Sequence, residues 1–352
     1  MTPVELSRTV LHAVRRAVDA GELSVAVPTR AVVAPPGPGG CGDYATGIAL
    51  QLARPAGQPP WRVAEVLRPH LLGVEGITDV VLTGPGFINI RLDGAASAVG
   101  VVGEVLRRGE RYGYAEGSDG RVVRLHCPHE LRAVVVGEVA ARLLRSQGAR
   151  VRVSAEGFEP AWASVLGAEV DAVGVAPAEL SLDVRPVPVP ASASRELLAL
   201  GRDAARWALL HPAAHDLPRT GEEHLVQRES NPLFRVRYAH ARARAAARNA
   251  ADLGFTAAPG PLGAGAEQEL LAALADHPRV LAAAAVHRAP DRLARHLVTV
   301  ADAALPFLPT VLPRGGEKPS AAHRARLALA EAVGAVLAGG LALLGIDAPD
   351  HL

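Results

Sequence analysis

The sequence predicts a multidomain protein with a small α/β domain at its N-terminal end and a helical region at its C-terminal end. Three observations carry this reading. The 352 residues exceed what one hydrophobic core comfortably holds. ITDVVLTGPGFINIRLDG, Ile77–Gly94, reads as two strands joined through Gly84, Pro85 and Gly86 and lies between helical patterns. Near the other end, NPLFRVRYAHARARAAAR, Asn231–Arg248, is an alanine-rich helix with Asn231 as its cap, Pro232 in its first turn and an end near Gly254. Leu327–Ile346, apolar apart from Glu331, fits a buried bundle helix better than a membrane span, because its flanks lack interfacial aromatics.

Taken in order, the chain opens on an amphipathic helix whose charges, Glu5, Arg8, Arg15 and Arg16, exclude a signal peptide. SVAVPTRAVVAP, from Ser24, reads as a strand and PPGPGGCGD, Pro35–Asp43, as a turn-rich loop. YATGIALQLAR, Tyr44–Arg54, reads as a helix, followed by a second helix, Trp61–Leu72. The strands are placed at Asp79–Leu82 and Phe87–Leu92, and a helix over Ala95–Arg108 closes the unit. A net charge of +1 means that any nucleic-acid affinity must come from local clustering. Two cysteines, Cys41 and Cys127, make neither a disulfide framework nor a metal cluster, so a reducing, cytoplasmic compartment is expected.

Such clustering exists on the Asn231–Arg248 helix. Arg235, Arg237, Arg242, Arg244 and Arg248 occur with no acid before Asp252, and Arg237, His240, Arg244 and Arg248 step by three or four residues, sharing one face. Two readings stay open: a solvated helix surface, or a face turned to phosphates. Other chemistry is thin. His126 and His129 flank Cys127, but one thiol beside two histidines of a strand end makes a poor nucleophile or metal site. His211, His215 and Asp216 fall in a proline-flanked loop, and the glycine-rich runs lack the strand–helix context of a phosphate-binding loop. No cofactor, metal or membrane association is expected.

GDYATGIALQLAR at Gly42–Arg54 followed by GPGFINIRL at Gly84–Leu92 resembles the N-terminal additional domain of bacterial arginyl-tRNA synthetases. That resemblance implies a domain leaning on the tRNA elbow, with the aromatic and asparagine that contact a D-loop base at Phe87 and Asn89. NPLFRVRYAHARA at Asn231–Ala243, APDRLARHLVTVAD at Ala289–Asp302 and the closing stretch Arg326–Leu352 resemble the same family's helical anticodon-binding domain, of the DALR type. An all-α bundle follows, whose tail, ending at Leu352, returns to the RNA-facing side. The tRNA-contacting residues so implied are Phe87, Asn89, Arg235, Arg237, Tyr238, His240, Arg244, Arg248 and Leu352. One departure is that Ala304 and Leu308 stand where the family commonly places aromatics.

Between these ends the family carries a full dinucleotide-fold catalytic domain, for which Gly113–Arg228 is too short. ELRAVVVGEVAARLLRSQGARV aligns with its first helix and LGRDAARWALL, Leu200–Leu210, with its last, which implies a reduced Rossmann-like α/β remnant with SLDVRPVPVPASASRE, from Ser181, as the seam. The expected domains are therefore residues 1–112, 113–228 and 229–352. At the positions of the family's His-x-Gly-His motif stand Cys127, Pro128, His129 and Glu130. The lysine-methionine-serine-lysine loop cannot exist in a chain with one methionine, Met1, and one lysine, Lys318. The resemblance thus implies a pseudoenzyme with no catalytic residues that binds tRNA, that for arginine first of all, as a translation-related accessory or regulatory module. The alternatives are a protein-interaction subunit that docks a partner enzyme or another copy of itself, and an arginine–tRNA ligase as the family name would have it.

Overall fold

The computed structural model describes residues 3–34, 36–37, 40–118, 120–175 and 182–352. Two compact units emerge: residues 1–103 with 259–262, and residues 104–258 with 263–352. The expected segments 113–228 and 229–352 fall in the second unit apart from residues 259–262, together with residues 104–112.

The first unit begins with α1 (Pro3–Asp19), whose Leu6, Val10, Ala13, Val14 and Ala17 recur at helical spacing and are all buried. After β1 (Val33–Ala34) and β2 (Tyr44–Thr46) come α2 (Ile48–Ala56), α3 (Pro60–Leu72), β3 (Ile77–Thr83), β4 (Phe87–Leu92) and α4 (Gly94–Arg108). The sheet order is β1-β2-β4-β3, antiparallel throughout. Ile88 and Ile90 of β4 pack with Val80, Leu52 and Leu67 in the core. The β3–β4 turn needs Gly86, which sits at φ 137° and passes so close to Pro60 that a Cβ would collide with it.

Two expectations for this unit are corrected. The strand from Ser24 contracts to Val33–Ala34, because Pro28 offers no amide donor and only these two residues pair, with Ala45 and Thr46. The helix expected from Tyr44 begins instead at Ile48, because Tyr44–Thr46 pairs with Ile88–Ile90 of β4 and Gly47 separates the two elements. In the glycine-rich loop, Pro35, Pro38 and Gly39 lie outside the described residues, as does Ser181 of the seam.

The second unit starts from β5 (Val122–Cys127), α5 (Leu131–Ser146), β6 (Arg150–Ala155), α6 (Pro160–Leu166), β7 (Ala172–Val173), β8 (Leu182–Asp183), α7 (Ala191–Ala199) and α8 (Arg202–Leu210). Its sheet runs β7-β6-β5-β8 with every pairing parallel, the small sheet expected of a reduced α/β unit. α5 is buried nearly all round, and Gly137 lets it approach β5 so closely that a Cβ would strike the Cys127 sulfur. Four long helices follow: α9 (Pro232–Asp252), α10 (Ala266–His287), α11 (Pro290–Phe307) and α12 (Ala321–Leu344). Asn231 caps α9 by accepting from the Leu233 amide at 3.0 Å. α12 is long and apolar enough to cross a membrane, but 78% of its apolar window is buried among its neighbours. Gly340 lets α12 close on Leu297 of α11.

Sheet and bundle are joined by a buried charge cluster. The Arg206 guanidinium, without exposed surface, donates to the Leu344 carbonyl (2.7 Å), the Leu166 carbonyl (3.1 Å) and the Glu138 carboxylate (2.9 Å). Glu138 also pairs with Arg142, which donates to the Ala342 carbonyl at 3.1 Å. Arg206 keeps its charge inside the protein only because Glu138 and two carbonyls replace water.

Candidate nucleic-acid interface

The sheet of the second unit reverses its strand order between β5 and β8, and ligands of open α/β sheets bind outside the carboxyl ends of the strands at such a point. The N-terminus of α5 opens there, with free amides suited to a phosphate. The chain itself occupies it. Glu130 accepts from the Arg132 amide (3.0 Å) and the Ala133 amide (2.7 Å), and its Oε1 also takes the Val189 amide at 3.0 Å. Val184 hydrogen-bonds the His126 carbonyl at 3.0 Å, which continues the parallel β8–β5 ladder, and the segment leaving β8 then meets Glu130 through Val189 at the start of α5.

Arg132 fixes this closure. Its side chain has no exposed surface, and its five N–H groups meet five carbonyls: Leu209 (3.1 Å) from Nε, Val187 (3.0 Å) and Asp216 (2.7 Å) from Nη1, and Pro212 (3.1 Å) and Ala213 (2.9 Å) from Nη2. Burial lowers the Arg132 pKa from its ordinary value, opposed first by Glu130 and then by Asp216 and Asp291. Nothing in the sequence singled Arg132 out beyond its being a lone cation among apolar residues.

His126, Cys127 and His129 diverge. His126 is buried against Ser154 (2.9 Å), and Cys127 is buried beneath Gly137. His129 faces outward beside Trp162, 3.4 Å from Glu159. Among the described residues no group of three or more metal-ligating side chains forms. His215 is exposed beside Asp216 at 3.6 Å, while His211 stacks on Trp207 with burial lowering its pKa.

In the first unit, Phe87 is 43% exposed and edges a cavity of about 380 Å³ with Val32, Thr46, Gly47 and Gln51. Asn89, two residues on, lies on the same face of the strand but is only 2% exposed. Its amide donates to the Val81 carbonyl (3.2 Å) and the Thr83 hydroxyl (2.7 Å) and accepts from the Cys41 amide (3.3 Å). Three of its four hydrogen-bonding positions are engaged.

On α9 the expected residues divide between two faces. Arg235 pairs with Asp302 at 2.9 Å. Tyr238 stacks on Phe234 with ring centres 5.4 Å apart and receives the Arg242 guanidinium on its ring and hydroxyl. The other face holds Arg237, His240, Arg244 and Arg248, and each is matched from within. Arg237 lies 3.4 Å from Asp203. The His240 imidazole meets the Pro349 carbonyl at 3.0 Å, and burial lowers its pKa against the pull of that carbonyl, leaving it neutral at pH 7. Arg244 donates to the Asp350 carboxylate at 2.9 Å, and Arg248 donates to the Asp350 carbonyl at 3.2 Å. Leu352 is exposed and borders a cavity of about 360 Å³ with Arg237 and Phe234. The stripe is therefore sequence-visible, while its partners, Asp203 and the segment Asp347–Leu352, are not.

Residues 5–92 match the arginyl tRNA synthetase N terminal domain family, and residues 236–352 match the DALR anticodon binding domain family. The arginine–tRNA ligase of Renibacterium salmoninarum is 42% identical over 165 residues, which is 43% of this chain and 30% of that one. That of Paenarthrobacter aurescens aligns end to end at 26% identity, over 553 positions against the 352 residues here. The chain thus spans under two-thirds of such a relative's length. Thermus thermophilus arginyl-tRNA synthetase superposes with a TM-score of 0.66 at 15% identity, covering 100% of both chains, and the Plasmodium falciparum enzyme with 0.65 at 8%, covering 99% of both. At these identities the likeness is one of fold.

Proposed function

From a chain that carries the arginyl-tRNA synthetase N-terminal domain and a DALR anticodon-binding domain, we propose a tRNA-binding protein without ligase activity, an accessory or regulatory module of cytoplasmic translation. The observation that carries the second half is the closed switch point. A carboxylate bound to the α5 amides repels the phosphates that this position would otherwise attract, and Val187 and Val189 are bonded to Arg132 and Glu130 at the start of α5. With Lys318 the only lysine, no pair of lysines remains to meet a leaving pyrophosphate. The purified protein is expected to show no arginine-dependent exchange of pyrophosphate into ATP. Exchange above background, with contaminating synthetase excluded, overturns the inactive reading and leaves a ligase.

The first half rests on the two matched domains and on what they present. Phe87 offers a flat apolar face for an unpaired base, whereas Asn89 is committed to bracing the Gly40–Cys41 turn, so we assign the stacking contact to Phe87 alone. Arg244 and Arg248 supply charge. Titrating arginine tRNA and an unrelated tRNA at several salt concentrations separates these roles. Phe87→Ala is expected to cost about 1–3 kcal/mol with little change in salt slope. Arg244→Ala/Arg248→Ala is expected to make the slope shallower by roughly one to two phosphate equivalents. Absence of binding to either tRNA at low salt eliminates the RNA reading in favour of a protein-docking surface. Equal affinity for both removes arginine specificity but keeps the RNA.

A further inference from the structure

The closing segment lies on α9 in a way that a solvated helix face does not require. It runs beside the helix in the same direction, with contacts on successive turns: Pro349 on His240, Asp350 on Arg244, and the Asp350 carbonyl with His351 on Arg248. It is tethered at its start by the Asp347 amide, which donates to Asp203 at 3.2 Å, the same carboxylate that faces Arg237. The groups set against the stripe are a carboxylate, two carbonyl oxygens and the His351 imidazole, and the oxygens are acceptors as the oxygens of a phosphodiester backbone are. The Asp350 carboxyl is held below its ordinary pKa chiefly by the hydrogen bond from Arg244, so it is ionised at neutral pH. Beneath the segment, a cavity of about 810 Å³ is walled by small residues of α9 and α12, among them Ala243, Ala247, Gly334 and Ala338.

We propose that the segment Asp347–Leu352 holds the place of a nucleic-acid phosphate backbone on α9 and is displaced by it, so that the stripe is masked until a polyphosphate chain competes for it. This rests on the tRNA-binding reading above and adds its regulation. The energetics favour a replaceable occupant. The Arg244–Asp350 pair is half exposed on both sides, and pairs of that kind hold weakly and are screened by salt. The anchors at its start are of a different kind: Arg237 and Asp203 are largely covered, and Gly345 fixes the end of α12. Displacement therefore frees Arg244 and Arg248 without opening the bundle.

The test compares two removals of one negative charge. Asp350→Asn loosens the segment. Asp252→Asn removes an equal charge from the last residue of α9, which has no contact with the segment. With tRNA as the probe, Asp350→Asn is expected to bind about two- to fivefold more tightly than the unaltered protein at low salt. Its salt dependence should be steeper by roughly one to two phosphate equivalents, because no internal pair must first be broken. Asp252→Asn is expected to bind as the unaltered protein does. If the unaltered protein binds tRNA and Asp350→Asn binds no more tightly, the masking is wrong while the RNA reading stands. Equal gains in both variants reduce the effect to net charge and likewise overturn the masking. If no form binds tRNA at low salt, the RNA reading itself has failed and the masking with it.

Discussion

Replacement of Arg132 by leucine is expected to destabilise the second unit by about 4 kcal/mol, the largest effect of any single side chain described here. The removed guanidinium serves five carbonyls, Val187 on one loop, Leu209 in the last turn of α8, and Pro212, Ala213 and Asp216 on the loop that follows it. Leucine fills part of the volume but leaves those oxygens without donors in a dry interior. Lysine does not repair the loss, since a point charge with three donors cannot reach five acceptors arranged around a planar fork. Urea denaturation of Arg132→Leu and Arg132→Lys, followed through the second unit, measures this. A midpoint within experimental error of the parent in either variant would show that the loops close without Arg132. Because Val187 and Val189 sit on the segment covering the α5 N-terminus, the same variants should also loosen that cover.

Acid is expected to act as strongly through a different pair. His277 of α10 and His296 of α11 lie with ring centres 5.2 Å apart, and Tyr112 stacks on His277 at 5.9 Å. The Nδ1 of His277 and the Nε2 of His296 are buried with no hydrogen-bond partner among the described residues. Burial pushes His277 to about 3, helped by its neighbour, and His296 to about 4, the latter against the attraction of Asp276. Both folded values lie below the ordinary 6.5, so the unfolded chain takes up protons first as pH falls. Stability is thus full above pH 6.5 and declines from there towards about 4 and 3. Each imidazole accounts for about 2 kcal/mol between pH 6.5 and pH 5. Urea midpoints at pH 7.5 and pH 5 should therefore separate widely in the parent and draw together in His277→Gln/His296→Gln, whatever that variant's absolute stability. An undiminished pH dependence in the double variant would assign it elsewhere.

What was legible in the sequence, and what was not, follows from the range over which each feature is determined. Phe87–Leu92 was readable from its own alternation, and α9 from its cap, its alanines and the three-and-four spacing of its arginines. β2 was not, since Tyr44–Thr46 becomes a strand only because Ile88–Ile90 lies beside it, and local pattern merges it with the helix that follows. The candidate site shows the same limit. The faces carrying Arg237, Arg244 and Arg248 could be placed, but the acids that meet them stand about 30 to 100 residues away along the chain. Glu130 could be recognised as an unwelcome carboxylate where a phosphate would bind. Its bond to Val189, and the five carbonyls around Arg132, required loops brought together from three separate stretches.

The arginines of the buried charge cluster give the helices that accompany the parallel sheet a role in finishing the bundle. A helix ends with four carbonyls that its own amides cannot reach. At the end of α12, the Leu344 carbonyl is met by Arg206 of α8, and the Ala342 carbonyl receives Arg142 of α5 in addition to the Gly345 amide. The last helix of the bundle thus borrows its finishing donors from two helices that accompany the parallel sheet. Excising α5 and α8 would remove Glu138, Arg142 and Arg206 together and leave the last carbonyls of α12 without those two guanidinium donors. α5 and α8 serve here as the end-cap of the bundle's last helix.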